Sequence, residues 1–450
     1  MLLSRIWSIS VILEPMLLFV VIPQTGFGGH ISRLIQIIIC VFFLINFLQK
    51  TARYGNFTLP GFFIYKAYFY LLAYIITISM IYLSFNGYEA LDLELAIHKV
   101  SAQNALSIHI RPWIEILIVI FQFFYFVILA PFFLKTKNDF KFFFKFAFII
   151  IFLHFFLGWI DWALYCFYNI QFIPRHFLGG MHVGCRFHGL AGEPRDAAIF
   201  NMSIIFFLAI YSLFKSGKVK LPNIIIILLI LYSSYRSLSA SFLVGAILSA
   251  LLILFYFFFM RSSKINFFIV ILSVIVLFGI VIFSLDNFWR IDQYYEAYAS
   301  YIFALFENPF INVPYIIKAS FNNVFPIIIA FNEFRDWNPL PLLFGSGLGS
   351  SGVANSIIRG YFLNPNNQLT RFIYEYGIIG STIFFISISS ILKNCSIKLN
   401  NRDKDILFMT FLLMLGGILA HRSNIWLIWL GLLCAVIVHQ TDNSSSTNIK

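Results

Sequence analysis

The feature that most constrains this chain is its succession of long apolar runs, which short polar segments separate. Windows of about 19 residues give about twelve candidate membrane-spanning helices. Only 11% of the residues are charged and 60% are hydrophobic, whereas a soluble domain carries about 25% charged residues. This composition excludes a soluble enzyme, a disordered chain, a coiled coil and a disulfide scaffold. The sequence predicts an all-α polytopic membrane protein, a single integral membrane domain over residues 1–450, with spans at about 7–23, 33–48, 62–85, 113–134, 142–165, 197–214, 221–234, 238–259, 266–284, 369–392, 405–420 and 424–439.

The basic residues orient these predicted helices in the bilayer. With a cytoplasmic N-terminus, every short inner loop is basic, as the positive-inside rule requires, and the reverse orientation fails on nearly every loop. Both termini are then cytoplasmic. The inner basic residues are Arg5, Lys50, Arg53, Lys135, Lys137, Lys141, Lys215, Lys218, Lys220, Arg261, Lys264, Lys393, Lys398, Arg402, Lys404 and Lys450.

The cations of the predicted outer segments are nearly all arginine. The positive-inside rule alone would deplete both lysine and arginine in the outer segments, so the presence of these arginines requires another explanation. A guanidinium group offers a planar fork for phosphate or carboxylate and keeps its charge on partial burial. Part of this set can pair with acidic residues or lipid head groups, and the rest predict an anionic, phosphorylated ligand at the outer face. The outer cations are Arg111, Arg175, Arg186, Arg195, Arg236, Arg290, Arg335, Arg359, Arg371 and Arg422, with Lys99 and Lys318.

Charge and cysteine content exclude other kinds of site. The net charge of +12 does not indicate nucleic-acid binding, because the basic residues form no stripe or groove-sized patch. The five cysteines show no CxxC and no zinc spacing, so no metal site is predicted. Cys166 and Cys185 fall in one loop and could form a disulfide if that loop is extracytoplasmic. The other three cysteines are expected to be small apolar fillers.

Two predicted outer loops are long enough to be functional. The second, residues 285–370, is expected to fold into short amphipathic helices that lie on the membrane. The first, residues 166–196, ends in a dense set of charges directly before an apolar helix. Pro194 suits the first turn of that helix, and Glu193 lies near the positive end of its dipole. This density predicts a functional site over Arg186, His188, Glu193, Arg195 and Asp196.

The second loop ends in a glycine-rich segment and a later polar segment. Residues 347–352 formally fit G-x-G-x-x-G, but no βαβ unit surrounds them, so a dinucleotide site is rejected. The polar segment, residues 364–380, reads Asn-Pro-Asn-Asn-Gln-Leu-Thr-Arg-Phe-Ile-Tyr-Glu-Tyr-Gly-Ile-Ile-Gly and leads into the tenth predicted span.

These segments resemble motifs of the O-antigen polymerase and ligase superfamily. R-x-x-G-x-x-x-E-P before a helix matches residues 186–194, and G-x-G followed by N-x-x-L and E-x-G-x-x-G matches residues 347–380. The segment 233–241, with Arg236, is also similar to a short outer turn of that family. The resemblance implies a multi-pass glycosyltransferase of the bacterial inner membrane. Such an enzyme acts at the periplasmic face on polyprenyl-pyrophosphate-linked sugars and needs neither a metal nor another cofactor.

One departure from the family pattern favours a polymerase over a ligase. Ligases typically have His before the Asn of the later motif, whereas this chain has Asn366 followed by Asn367, and an amide cannot act as a general base. We therefore expect a repeat-unit polymerase that transfers a growing glycan from undecaprenyl pyrophosphate to a lipid-linked repeat unit. Membrane lipid and a chain-length-determinant protein are the further partners implied. The alternatives are a ligase that uses a lipid A–core acceptor and a flippase or transporter of lipid-linked oligosaccharides.

This interpretation assigns roles to the polar residues of both segments. Arg186 and Arg371 are expected to grip the donor pyrophosphate, with Arg195 or Arg236 assisting, because fixed guanidinium groups stabilise charge on the leaving group. The residues expected to position the sugar are Asn366, Asn367 and Asp161.

The base that takes the proton of the acceptor hydroxyl has two candidates. Glu193 is the first choice because it lies in the motif itself, although the helix N-terminus and Arg195 are expected to lower its pKa. His188 is the alternative, since a histidine titrates near neutral pH without special tuning. In that case Glu193 would orient Arg186 or Arg195.

Polar side chains inside predicted spans cost free energy to place in the bilayer, so they indicate functional sites or contacts between helices. Glu14 lies beside Pro15 and is expected to mark a kink that faces a cavity. Glu115, His154 and Asp161 are the others. His154 and Asp161 are seven residues apart and therefore share a helix face, where they either line a site or hold helices together.

Overall fold

The computed structural model describes residues 2–16, 31–54, 61–84, 102–173, 185–259, 325–359, 367–397, 399–421 and 423–447. The regular structure in these ranges is helical throughout, as the sequence predicts. The chain forms two compact units. The first combines Met1–Phe62, Gln122–Ser284 and Cys395–Lys450, and the second combines Phe63–Phe121 and Leu285–Asn394.

The described helices are numbered here in chain order. They are α1 (Leu2–Leu13), α2 (Ile31–Tyr54), α3 (Phe62–Ser84), α4 (Ala102–Phe123), α5 (Leu129–Phe133), α6 (Lys137–Tyr168), α7 (Pro194–Ser216), α8 (Ile224–Arg236), α9 (Ala240–Phe259), α10 (Phe325–Arg335), α11 (Leu340–Phe344), α12 (Ser350–Arg359), α13 (Gln368–Arg371), α14 (Gly377–Cys395), α15 (Asn401–Ala420) and α16 (Ile425–Thr447). π-Helical turns join α4 to α5 (Phe124–Ile128) and α13 to α14 (Phe372–Tyr376), and a 3-10 turn (Gly189–Ala191) precedes α7. Apart from residues at helix ends, α3, α4 and α10–α14 form the second unit and the other helices the first.

The apolar helices indicate a membrane protein. Six of them, among the described residues, are long and apolar enough to cross a bilayer. Four further apolar helices are shorter, so the predicted count of about twelve spans is not confirmed. The long segments are Phe62–Ile81, Trp113–Phe133, Lys137–Tyr168, Pro194–Ser216, Ser241–Phe258 and Gln368–Cys395.

Three predicted segments differ from the observed helices or lie outside them. The span expected at 7–23 ends early, because α1 stops at Leu13 and Glu14–Pro15 form a turn. The span expected at 266–284 lies outside the described residues, as does the first part of the 285–370 loop. The described parts of that loop, residues 325–359 and 367–370, contain the short helices α10, α11 and α12 and most of α13.

Local sequence signals set the ends of the two helices that flank the first motif. Thr136 and Asp139 form a capping box at the start of α6, and Asn169 ends that helix in a left-handed conformation. Glu193 is the N-cap residue of α7 and Pro194 occupies its first turn, as predicted. These boundaries leave residues 169–193 between α6 and α7 to carry the motif.

In the first unit, α15 packs against α9 and α7. Gly416 of α15 lies directly against Ser249 of α9, where a Cβ atom would collide with the serine backbone. Ser249 Oγ donates a hydrogen bond to the Leu413 carbonyl of α15 at 2.9 Å. Small residues let apolar helices approach this closely, and the inter-helix hydrogen bond fixes their register. The C-terminus of α15 is thereby placed beside the N-terminus of α7.

Candidate functional site

The motif segment that begins at Cys185 lies at one end of the first unit. Cys166, near the end of α6, forms a disulfide with Cys185, and their Cα atoms are 5.2 Å apart. Trp162 Nε1 donates a hydrogen bond to the Cys185 carbonyl at 3.1 Å. The start of the motif is therefore tied to the last turns of α6 by one covalent bond and one hydrogen bond.

His154 holds the middle of the same segment against α6. The backbone N–H of Leu190 donates to His154 Nδ1 at 3.1 Å. Because Nδ1 accepts, Nε2 carries the proton and donates to Asn201 Oδ1 of α7 at 3.0 Å. Gly189 has a φ of +51° and lies against the His154 ring, where no larger residue would fit. His154 is thus a neutral, buried histidine that positions the motif.

Asp161 and His188 form a second buried contact in this region. The Nε2 atom of His188 is 2.9 Å from Asp161 Oδ2, and its Nδ1 faces the Gly189 carbonyl at 3.0 Å. Asp161 Oδ1 also accepts the backbone N–H groups of Phe172 and Ile173 at 2.8 and 2.6 Å. Both ring nitrogens of His188 therefore face acceptor oxygens of the protein itself, a carboxylate at Nε2 and a backbone carbonyl at Nδ1.

Two of the predicted anion-binding arginines meet at the turn between α8 and α9. Arg186 donates from Nε to the Ser237 carbonyl at 2.9 Å and from Nη2 to the Leu238 carbonyl at 3.2 Å. The guanidinium carbon of Arg236 lies 4.7 Å from the centroid of the Trp162 ring. The backbone N–H of Phe187 donates to the Arg236 carbonyl at 2.8 Å. The structure therefore brings Arg186 and Arg236 to one place although fifty residues separate them.

The other charged residues of the motif lie at the N-terminus of α7. Arg195 Nε is 2.6 Å from Glu193 Oε2. Asp196 Oδ1 is 2.8 Å from Nε2 of His421, which follows the last residue of α15. The positive end of the helix dipole lies at the same place. This cluster of two carboxylates, one arginine and one histidine stands at the end of a helix whose other residues are mostly apolar and buried.

The pKa of Glu193 is raised above its ordinary value, contrary to the expectation from its neighbours. Burial is the main cause, and the negative charge of Asp196 acts in the same direction. The charges of Arg195 and His421 lower this pKa, but they do not offset burial. The helix N-terminus and Arg195 predict a lowered pKa, but the sequence alone does not show how far the side chain is buried. A raised pKa makes the Glu193 carboxylate a better proton acceptor.

His421 is a functional candidate that the sequence analysis did not identify. Nε2 faces the Asp196 carboxylate, so it is the donor of this contact, and in the neutral form of the ring the lone pair lies on Nδ1. This Nδ1 atom is buried and has no hydrogen-bond partner among the described residues. A carboxylate that orients a histidine whose second nitrogen is basic is the arrangement of a general base. The only feature of the sequence that could have indicated this role is the position of His421 directly before Arg422, one of the predicted outer cations.

Glu14 stands in another polar cluster of the first unit. Its carboxylate accepts hydrogen bonds from Ser32 Oγ at 2.6 Å and Gln36 Nε2 at 2.8 Å, both on α2. Arg33 Nε and Asn424 Nδ2 lie 3.3 Å from its other oxygen. Glu14 therefore joins the end of α1 to α2 and to the start of α16, which accounts for a carboxylate in an apolar segment.

Arg371 belongs to the second unit and is held by carboxylates. Its guanidinium is 2.7 Å from Glu375 Oε2 and 3.4 Å from Glu115 Oε2, and all three side chains are nearly inaccessible to solvent. Ser351 Oγ donates a hydrogen bond to Glu375 Oε1. In this arrangement the positive charge of Arg371 is balanced within the protein. The intramembrane Glu115 identified in the sequence is explained by this pairing.

The glycine-rich segment of the second unit packs against the π-helical turn that carries Glu375. The N–H groups of Ser346 and Gly347 donate to the carbonyls of Tyr374 and Glu375 at 2.8 and 3.0 Å. Gly345 has a φ of +86°, and a Cβ atom there would collide with the Glu375 backbone. The glycines thus allow two backbone segments to touch.

The later motif contributes a helix cap. Asn367 Oδ1 accepts the backbone N–H of Thr370 at 2.8 Å and so caps α13. Asn366, the other residue expected to position the sugar, lies outside the described residues. Within the described ranges, no group of three or more His, Cys, Asp or Glu side chains is arranged to hold a metal ion.

Comparisons of the chain with protein-family models, with curated proteins and with solved structures find no match.

Proposed function

We propose that this protein is a surface-polysaccharide repeat-unit polymerase of the bacterial inner membrane. It transfers a growing glycan from undecaprenyl pyrophosphate to a lipid-linked repeat unit at the periplasmic face. The observation that carries this proposal is the cluster at the N-terminus of α7. There Glu193, Arg195, Asp196 and His421 stand together at the end of an apolar helix, directly after the segment that holds Arg186. So many charges at one end of an apolar bundle indicate a site for an anionic ligand.

The donor pyrophosphate is held by arginines in this proposal. Arg186 and Arg236 are brought together because Phe187 N–H donates to the Arg236 carbonyl and the Arg186 side chain donates to the carbonyl of the next residue, Ser237. Arg236 Nε is buried and has no hydrogen-bond partner among the described residues, so it can donate to a phosphate oxygen. The positive end of α7 adds a favourable potential for an anion. Arg195, whose side chain is about one-third exposed, can assist.

The proton of the acceptor hydroxyl passes to His421 Nδ1. The acceptor oxygen then bonds to the anomeric carbon of the donor sugar, the bond from that carbon to the pyrophosphate oxygen breaks, and undecaprenyl pyrophosphate leaves. Asp196 holds the ring in the required tautomer and stabilises the imidazolium that forms. Glu193 remains a second candidate for this base because burial raises its pKa. His188 does not suit the role, since both of its nitrogens face acceptors.

The disulfide supports the assignment of this end to the periplasmic side. Disulfides form in the bacterial periplasm and are rare in the cytosol. Cys166 and Cys185 are tied together at the end of the unit that carries the motif, and the lysines Lys137, Lys141, Lys145 and Lys215 lie at the opposite ends of α6 and α7. The positive-inside rule assigns that lysine-rich end to the cytoplasm.

The proposal is tested in a strain whose own copy of the gene is deleted and whose surface polysaccharide is analysed by gel electrophoresis. The intact gene should restore long polymer, and Arg186→Ala should leave only single repeat units at equal protein levels. The matched control is Arg335→Ala, which removes an exposed arginine of the second unit. Long polymer of normal amount from the Arg186 variant would refute the role of this arginine.

His421→Ala and Asp196→Asn test the base in purified protein. Loss of a positioned base should lower kcat about 10²- to 10⁴-fold with little change in KM. Added imidazole should restore part of the activity of His421→Ala. Unchanged kcat in His421→Ala together with a large loss in Glu193→Gln would move the role to Glu193.

A further inference from the structure

A basic cavity lies at the end of the first unit opposite to the motif. It encloses about 570 Å³, a volume within the range of about 300–1,000 Å³ that small-molecule sites occupy. Helix α7, whose 23 residues span about 34 Å, separates this cavity from the charged cluster around Glu193. The cavity is lined by Lys137, Lys141, Phe144, Lys145, Phe148, Tyr211, Phe214, Lys215, His439 and Gln440.

The lysines of this cavity converge from two helices. Lys137, Lys141 and Lys145 are spaced four residues apart on α6 and therefore share one face of that helix. Lys215 lies in the last turn of α7. No carboxylate lines the cavity, and none of the four lysines forms an ion pair within the described part of the chain. Four ammonium groups around one concavity repel one another, so an anion bound there would be stabilised by all of them.

Aromatic rings make up most of the other lining residues. The Phe144 ring is 5.0 Å from Tyr211 and 5.2 Å from Phe214, centroid to centroid, and Phe148 is 4.9 Å from Tyr211. His439 Nδ1 donates to the Lys135 carbonyl at 2.9 Å, which fixes the orientation of its ring. A cavity with cations at its rim and aromatic rings in its wall suits a molecule that has an anionic head and an apolar body.

We propose that this cavity binds the headgroup of an anionic phospholipid. The lysine-rich end corresponds to the cytoplasmic leaflet in the orientation that the basic loops indicate, and basic pockets between membrane helices on that side bind acidic lipid headgroups. Orientation alone requires basic residues in this loop region but does not require four of them around one cavity. Lys218 and Lys220, in the loop after α7, are exposed and do not line it. The proposal does not depend on the glycosyltransferase function.

The test uses the full-length chain purified in a neutral detergent and titrated with phosphatidylglycerol or with phosphatidylcholine of the same acyl chains. Bound lipid is counted by native mass spectrometry. The protein should bind phosphatidylglycerol in preference to phosphatidylcholine. Lys141→Gln/Lys145→Gln should weaken phosphatidylglycerol binding about 25-fold, at about fivefold for each lysine.

Two further variants control for net charge and for folding. Lys218→Gln/Lys220→Gln makes the same change in charge outside the cavity and should alter affinity less than twofold. Lys141→Arg/Lys145→Arg keeps the charges and should bind nearly as well as the original chain. Equal losses from the two glutamine pairs, or no preference for the anionic lipid, would overturn the proposal. Full displacement of the lipid by inorganic phosphate would assign the cavity to a soluble anion instead.

Discussion

Replacement of Arg371 by methionine should destabilise the protein strongly, because its two carboxylate partners would remain buried without their cation. Glu115 and Glu375 have fully inaccessible side chains, and Arg371 contacts both. Removing one partner of a buried ion pair costs about 3–5 kcal/mol. We expect a loss of that size in the free energy of unfolding, measured in mixed micelles of increasing sodium dodecyl sulfate fraction by the loss of helical circular dichroism.

Two further variants separate this structural role of Arg371 from a role in binding the donor. Arg335→Met removes an exposed arginine that lies 3.8 Å from Asp336, and such surface pairs contribute about 0–1 kcal/mol. The triple variant Arg371→Met/Glu115→Gln/Glu375→Gln removes the buried charges together and should recover most of the stability. An Arg371→Met protein as stable as Arg335→Met would show that Arg371 does not stabilise the buried carboxylates. A stable but inactive triple variant would indicate that Arg371 binds the donor.

Three other predictions follow from the first unit. Cys166→Ser should lower the free energy of unfolding under oxidising conditions by about 3 kcal/mol, for a loop of 19 residues; an equal stability of the two proteins would show that the disulfide does not form. His154→Leu should cost about 1–3 kcal/mol by leaving the Leu190 N–H unpaired, and its effect should be less than additive with that of Asn201→Leu; strict additivity would exclude their coupling. Because the folded-state pKa of Glu193 is raised, its carboxyl contributes stability below the ordinary glutamate pKa and loses it as the pH rises through the raised value. The stability of Glu193→Gln relative to the original chain should therefore increase with pH in denaturation series above pH 4, and a flat difference would contradict the raised pKa.

The parts of the fold that depend on neighbouring residues could be predicted from the sequence. Apolar runs predict where helices lie, and Pro194 with Glu193 predicts the start of α7, because both signals act within one or two turns. The sequence predicts a kink at Glu14–Pro15 inside a longer span, whereas the described helix ends at Leu13. A proline removes a backbone donor, and here the glutamate side chain finds partners on other helices.

The partners of the charged residues could not be predicted, because packing between distant helices decides them. Asp196 meets His421 across 225 residues, and Arg371 meets Glu115 across 256 residues. Periodicity and motifs carry no information on such pairs. The burial of Glu193, which reverses the expected direction of its pKa shift, depends on the same packing.

The most direct test of the proposed polymerase is the reaction of the purified chain with undecaprenyl-pyrophosphate-linked repeat units in proteoliposomes. We expect lipid-linked products of two or more repeats and one undecaprenyl pyrophosphate released for each new linkage, with Arg186→Ala inactive and Arg335→Ala active. Movement of the lipid-linked substrate across the bilayer with no new linkage and no released pyrophosphate lipid would contradict the polymerase function and identify a transporter.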